Sequence, residues 1–189
     1  MLNPFQSRYF DTVALRKLGF KKVGSNVSIS EHATLVGIEN ISIGSNVRID
    51  SHVVILSKQG ETTIGNNVHI EPSASLVSHS GIEIGNFCTI SHGVRLFTAS
   101  ANYDGEYFTN VFPDPKFQVP YKGKIFLEDH VIIGGNSVVM PGVQFGEGSA
   151  IGALSFVRKN VEPWGIYAGN PLKFLRVRKN TIKHLATEL

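Results

Sequence analysis

His69 and Glu71 stand two residues apart in a stretch that reads as strand, flanking an inward Ile70. Residues two apart on a strand share a face, so both side chains point outward together, and a carboxylate placed that way can orient an imidazole for general-base work. His79 falls in a short insertion directly beneath a long loop running from Ala101 to Lys124. His92 reads as a turn residue between the first and second sides of its repeat, away from that loop, and is the third choice. The loop carries Asn102, Tyr103 and Asp104, whose polar groups can hydrogen-bond a ligand, together with Glu106, Tyr107, Phe108, Phe112 and three prolines. A structureless segment of that length is uncommon in a compact domain unless it carries function, the alternative being that it stabilises an oligomer.

A second kind of chemistry is suggested by charge. The formal net charge is only +3, yet Arg158, Lys159, Lys173, Arg176, Arg178, Lys179 and Lys183 all crowd the last fifth of the chain. No aromatic platform or groove-reading motif accompanies them, so a local site for a polyphosphate ligand is expected rather than nucleic acid. The lone Cys88 falls on an inward position and reads as a buried small hydrophobe. No cationic start precedes an apolar stretch in the first twenty residues, and no eighteen apolar residues run together. A cytoplasmic chain without membrane insertion is the expectation.

What must position these groups is a six-residue period. Aliphatic residues recur at that spacing, often followed by glycine, as in Val23-Gly24, Ile43-Gly44, Ile64-Gly65, Ile84-Gly85, Ile133-Gly134 and Ile151-Gly152. Neither an amphipathic helix nor a simple hairpin has that period, whereas three hexads close one triangular coil of a stacked repeat. Coils begin at Val23, Ile43, Ile64, Ile84, Leu127 and Phe145, with a second, smaller inward residue four positions after each aliphatic. Each buried aliphatic contributes roughly 1.5 to 3 kcal/mol before chain entropy, so six coils make a sufficient core. The starts at 23, 43, 64 and 84 lie two or three residues further apart than three hexads require, and the surplus follows the third side each time. The insertions and the long loop therefore share one vertical edge, the expected functional edge. The reading is a single domain over 1–189: a helical lead-in over 1–22 with its helix from Ser7 to Leu18, a β-helix over 23–168 with the protruding loop 101–124, and a C-terminal helix within 169–189, amphipathic from Leu172 to Leu189.

The hexads, the loop phrase from Ser100 to Tyr107, and the closing run from Ile151 through Glu162-Pro163-Trp164-Gly165 to Asn170-Pro171 resemble the left-handed β-helix hexapeptide acyltransferases, over about residues 18 to 178. Similarity is greatest to the galactoside and maltose O-acetyltransferase group and to acetyltransferases of surface-polysaccharide synthesis, including lipopolysaccharide O-antigen. The resemblance implies an all-β left-handed parallel β-helix, since parallel crossovers are otherwise right-handed. It also implies a homotrimer with active sites between subunits, acetyl-CoA as co-substrate, no metal, and a sugar or nucleotide-sugar acceptor.

Carried over position by position, the family's cofactor contacts fall on Gly135, Ala153, Arg158, Lys159, Lys173 and Arg176. Main chain near Gly135 and Ala153 would meet the pantetheine amides, and the cations would meet phosphates. His69, Glu71 and His79 fall where the family lines its acceptor pocket. Trp164 suits packing beside acceptor, cofactor or core. The family's loop histidine corresponds here to Ala101, so the expected base is missing; His69, or failing it His79, is the replacement. An amine acceptor would also demand less of a base than a hydroxyl, which favours an amino sugar over a hydroxyl acceptor. Two other classes share the coil architecture. A γ-carbonic-anhydrase-like hydratase would need zinc-binding histidines, but no two histidines here are five residues apart as that family uses. A non-catalytic trimeric scaffold would give no saturable heat with acetyl-CoA.

Overall fold

A computed structural model describes residues 8–110 and 114–188. Its strands wind into a three-sided prism. The first face stacks Lys22–Val23, Ile41–Ile43, Thr62–Ile64, Ile82–Ile84, Ile125–Leu127 and Gln144–Phe145 in parallel. The second stacks Val27–Ser30, Val47–Ile49, His69–Ile70, Thr89–Ile90, Ile132–Ile133, Ala150–Ile151 and Gly165–Ala168. The third stacks Thr34–Val36, Val54–Leu56, Ser75–Val77, Arg95–Phe97, Val138–Val139 and Phe156–Val157. The architecture is an all-β left-handed parallel β-helix.

The hexad period sets the register. On the second face Ile29, Ile49, Ile70, Ile90, Ile133 and Ile151 pair coil to coil, and all six are buried. The smaller inward residues, including Val47, Val68, Ala74, Cys88, Val94 and Val143, are buried too. Two features turn the first corner. Asn26, Asn46 and Asn67 adopt left-handed backbone with φ of 52°, 57° and 56°, which asparagine tolerates. Their side-chain amides bond upward, Asn26 Nδ2 to Asn46 Oδ1 at 2.9 Å and Asn46 Nδ2 to Asn67 Oδ1 at 3.0 Å. The glycines after Val23, Ile43, Ile64 and Ile84 have a different cause: a Cβ built on Gly44 would stand 2.5 Å from the Gly65 carbonyl oxygen, so stacked backbones exclude any side chain.

Both ends differ from the sequence expectation. Ser7 and Leu189, the outer limits of the two expected helices, lie outside the described residues, as does the loop's Phe112. At the N-terminal end the helix is only Thr12–Leu15, capped by the Asp11 carboxylate accepting from the Ala14 N–H at 2.9 Å. Before it, Tyr9–Phe10 pairs antiparallel with Val27–Ser30 and closes the otherwise open edge of the second face. At the other end Lys173–Val177 is a strand, antiparallel to Gly165–Ala168, and helix is confined to Ile182–Leu185 with a 3-10 turn over Ala186–Glu188. The edge of the last coil again needs a partner, and Gly169, at φ 100°, lets the chain fold back to supply it. Leu175 and Leu185, part of the expected apolar helical face, are exposed.

The surplus residues do share the third corner, between the third face and the next coil's first. The long loop leaves after Thr98 and returns through Tyr121–Lys122, which pairs antiparallel with Ala99–Ser100. Buried Thr98 fixes its root: its Oγ1 donates to Val77 O at 3.0 Å and accepts from the N–H groups of His79 and Ser80 at 2.6 and 3.0 Å.

Candidate active site

Under the long loop lies a cleft of about 510 Å³, walled by Gln59 and His79 from the coil insertions and by Ser100, Ala101, Asn102, Phe108, Val119 and Lys122 from the loop. The Phe108 ring and two prolines share the wall with amides, two hydroxyls and one cation. His79 Nδ1 donates to Gln59 Oε1 at 2.7 Å. Of the expected acceptor residues only His79 and Asn102 line this cleft. Tyr103 is 84% exposed and Asp104 is exposed, with its N–H bonded to Asn102 Oδ1 at 2.8 Å.

His69 is elsewhere, on the second face, and Glu71 is not its partner. Its Nε2 meets Asp50 Oδ2 at 2.6 Å, while Asp50 Oδ1 accepts from the Tyr9 hydroxyl at 2.6 Å and Arg48 Nε at 2.7 Å. Arg48 Nη2 donates to the Tyr9 hydroxyl at 2.9 Å, and the guanidinium lies 4.9 Å from the Tyr9 ring centroid. Burial opposes ionisation of Asp50, but hydrogen bonds from Tyr9, His69 and Arg48, with the Arg48 charge, hold its carboxyl below the usual range. Burial and the neighbouring Asp50 push the Tyr9 hydroxyl up.

Glu71 reaches one coil further. Its Oε2 meets His92 Nδ1 at 2.6 Å and accepts from the His92 backbone N–H at 3.1 Å. The expectation that Glu71 orients His69 is thus replaced by two carboxylate–imidazole pairs, each spanning successive coils, because stacked outward positions lie nearer than positions two apart on one strand. His92 also sits between the second and third sides rather than the first and second, on the second corner.

That corner continues upward into the expected cofactor residues. Gly135 lies above His92, with the Asn136 N–H donating to His92 O at 2.7 Å, and the Leu154 N–H donates to Gly135 O at 2.9 Å beside Ala153. Lys173 pairs with Ala168 on the closing strand and Arg176 with Ile166. Arg158 and Lys159 follow Val157, at the far end of the third face, so one protomer spreads the six expected cofactor residues over the second corner, the closing strand of the second face and the far end of the third. Arg158, Lys159, Lys173 and Arg176 are exposed and form no ion pair among the described residues.

Two cations of the basic tail serve the fold instead. Arg178 Nη1 donates to His130 O at 2.8 Å and Gly148 O at 2.9 Å, and burial lowers its pKa. Lys183 pairs with Glu147 at 2.8 Å and stands 5.7 Å from the Trp164 ring centroid. Trp164 itself packs at the first corner against Gly148, remote from the cleft. Cys88 is buried and its thiol is pushed up to about 12 by desolvation. Sequence reasoning missed Asp50, Gln59 and Lys122; only the coil-to-coil register, applied to polar as well as apolar positions, could have found Asp50 beside His69.

No family model matches the chain. It is 36% identical over 177 residues to dTDP-4-amino-4,6-dideoxy-D-glucose acyltransferase of Escherichia coli, covering 94% of this chain and 92% of that protein. Among solved structures it resembles AntD, an N-acyltransferase from Bacillus cereus in complex with dTDP and 3-hydroxybutyryl-CoA, with a TM-score of 0.91 at 35% identity, over 97% of this chain and 96% of that one. A variant of AntD holding dTDP-4-amino-4,6-dideoxyglucose and coenzyme A superposes with a TM-score of 0.92 at 34% identity, over 97% of each chain. With the prism, its loop and its closing strand matched along nearly the whole length, this chain belongs to the hexapeptide-repeat acyltransferases that move an acyl group from coenzyme A to a sugar.

Proposed function

We propose that the protein N-acylates a nucleotide-linked amino sugar, with acetyl-CoA as donor, in the cytoplasmic assembly of a surface polysaccharide such as O-antigen. The observation that carries this reading is the near-complete match to a fold that holds both a dTDP-linked 4-amino sugar and coenzyme A. A homotrimer is supported by the third face. Its outward positions Val36, Leu56, Val77 and Phe97 are in register, with Met140 following one coil on, and all are only partly buried in one chain. A continuous apolar stripe of this kind calls for a partner. Packing through this face brings the second corner of one protomer beside the third corner of its neighbour. Gly135, Ala153, Lys173 and Arg176 of one subunit then face Arg158, Lys159 and the loop cleft of the next, reuniting the six cofactor residues around one donor.

In this arrangement the pantetheine arm runs down the second corner past Ala153 and Gly135, the cations at both corners hold phosphates, and the acceptor occupies the cleft with His79, Asn102 and Lys122. The amine nitrogen attacks the thioester carbonyl, and its collapse expels the CoA thiolate. His69, engaged by Asp50 in a network with Tyr9, serves the fold of the lower coils rather than proton transfer. Free-thiol release from acetyl-CoA, followed across a panel of nucleotide-linked amino and hydroxy deoxysugars, tests the reading. Saturable turnover only with the amino members is expected; turnover only with hydroxyl acceptors contradicts it.

A further inference from the structure

We infer that His92, oriented by Glu71, is the group that takes the proton from the attacking amine. The inference rests on the proposed course of the donor along the second corner. Two observations raise this third choice above His69 and His79. Glu71 Oε2 accepts from Nδ1, the 2.6 Å contact, and from the His92 backbone N–H, so it fixes both the ring and the turn that carries it. A carboxylate can only accept, so Nδ1 carries the proton of that bond, and in the neutral imidazole Nε2 is the acceptor nitrogen. The imidazole is 68% exposed whereas Glu71 is 23% exposed, so the carboxylate is the sheltered member and the base is reachable.

The second observation is position. Gly135 stands on the coil immediately above, where a Cβ would come within 3.3 Å of His92 O and 4.0 Å of His92 Cβ. Glycine leaves that space to the ligand, so a chain descending past Ala153 and Gly135 reaches the turn that carries His92. No other histidine among the described residues is adjacent to Gly135. The charged groups around the ring are Glu71 on the coil below and Arg95, whose Nη1 turns back to Gly93 O at 3.4 Å. A carboxylate on Nδ1 stabilises the imidazolium formed when Nε2 accepts a proton.

The step balances without another reactant. The amine nitrogen forms a bond to the thioester carbon, its proton passes to His92 Nε2, the C–S bond breaks as the oxyanion collapses, and the proton is delivered to the departing sulfur as free thiol. Glu71 is a positioning residue in this scheme, and His92 the catalytic one.

The test uses the full chain with acetyl-CoA and the amino-sugar nucleotide that wild type turns over. His92→Ala is expected to lower kcat about 100-fold or more, the usual scale of general-base help, while KM for acetyl-CoA changes less than about twofold. Added imidazole should restore part of the lost turnover to His92→Ala and none to His79→Ala. Glu71→Gln, which keeps an acceptor for Nδ1 but no charge, should lose about tenfold in kcat and shift the acidic limb of the kcat profile. Because the His92 side chain is exposed, the thermal midpoint should stay near wild type, and His92→Gln provides a second variant should alanine disturb the turn. A His92→Ala kcat within about threefold of wild type across the acidic limb, or a loss that imidazole never rescues in either variant, overturns the inference. If wild type turns over no amino-sugar nucleotide but does acylate a hydroxyl acceptor, the acceptor reading fails instead, and the same variants on that acceptor still decide the role of His92.

Discussion

Asp50 ties charge to fold at the scale of a single residue. Its carboxylate is nearly buried yet accepts from three side chains, one of them on the strand that closes the bottom of the prism. A carboxyl held below its unfolded value contributes stability that is present above the unfolded pKa of about 3.9 and is lost as pH falls through the folded value. Asp50→Asn should therefore be less stable than wild type at neutral pH by about 1 to 3 kcal/mol, with the gap closing as pH drops below about 4. Urea titrations at a series of pH values check both the sign and the window. Cys88, its thiol pushed up to about 12 by burial, should resist a disulfide reagent at neutral pH in the native protein and react only at the rate of unfolding. Prompt stoichiometric labelling would contradict its placement. His69 and Glu71 were legible as outward carboxylate and imidazole, but not their partners, because each partner lies about twenty residues away on a neighbouring coil.

At the scale of the element, the hexad dictates both what points inward and where backbones touch. Gly44 is the clearest case: alanine there would place its Cβ 2.5 Å from the Gly65 carbonyl oxygen and 2.7 Å from Asn66 Oδ1. Since the first of these is backbone, the coils must separate, and Gly44→Ala should cost about 1 to 3 kcal/mol, measured by urea unfolding. An unchanged midpoint would mean that the coils stack less closely than described. The period made nearly every inward residue readable from sequence. It was less sharp at the two ends, where helix was expected for residues 7–18 and 172–189: helix is found there only at Thr12–Leu15 and Ile182–Leu185, with the strands Tyr9–Phe10 and Lys173–Val177 beside it. Local apolar spacing at Leu172 and Leu175 mimics a helical face, while the deciding interaction, the open edge of Gly165–Ala168, belongs to a coil formed earlier in the chain. The third corner shows the opposite: its surplus residues, counted from spacing alone, locate the edge from which the loop leaves.

At the scale of the whole molecule, the apolar stripe on the third face is what the proposed trimer rests on. Phe97→Lys places a charge in the middle of that stripe without touching the cleft or the inward core, and should shift the protein from trimer to monomer in light scattering while the far-ultraviolet circular dichroism stays that of a β-helix. A trimer unaffected by this change would remove the third face from the interface. The basic tail illustrates what composition alone could not separate: Arg178 and Lys183 anchor carbonyls and Glu147, whereas Arg158, Lys159, Lys173 and Arg176 form no ion pair among the described residues, and the proposed trimer would bring them together. The most direct test of this shared site is subunit mixing. His92→Ala lacks the base at the second corner, and Ala101→Trp fills the acceptor cleft; each alone should be nearly inactive. Unfolded together in equal amounts and refolded, random trimers contain sites combining an intact second corner with an intact cleft at a frequency of about one quarter. The account predicts recovery of about one quarter of wild-type turnover per site, and a mixture no more active than its two components would contradict it.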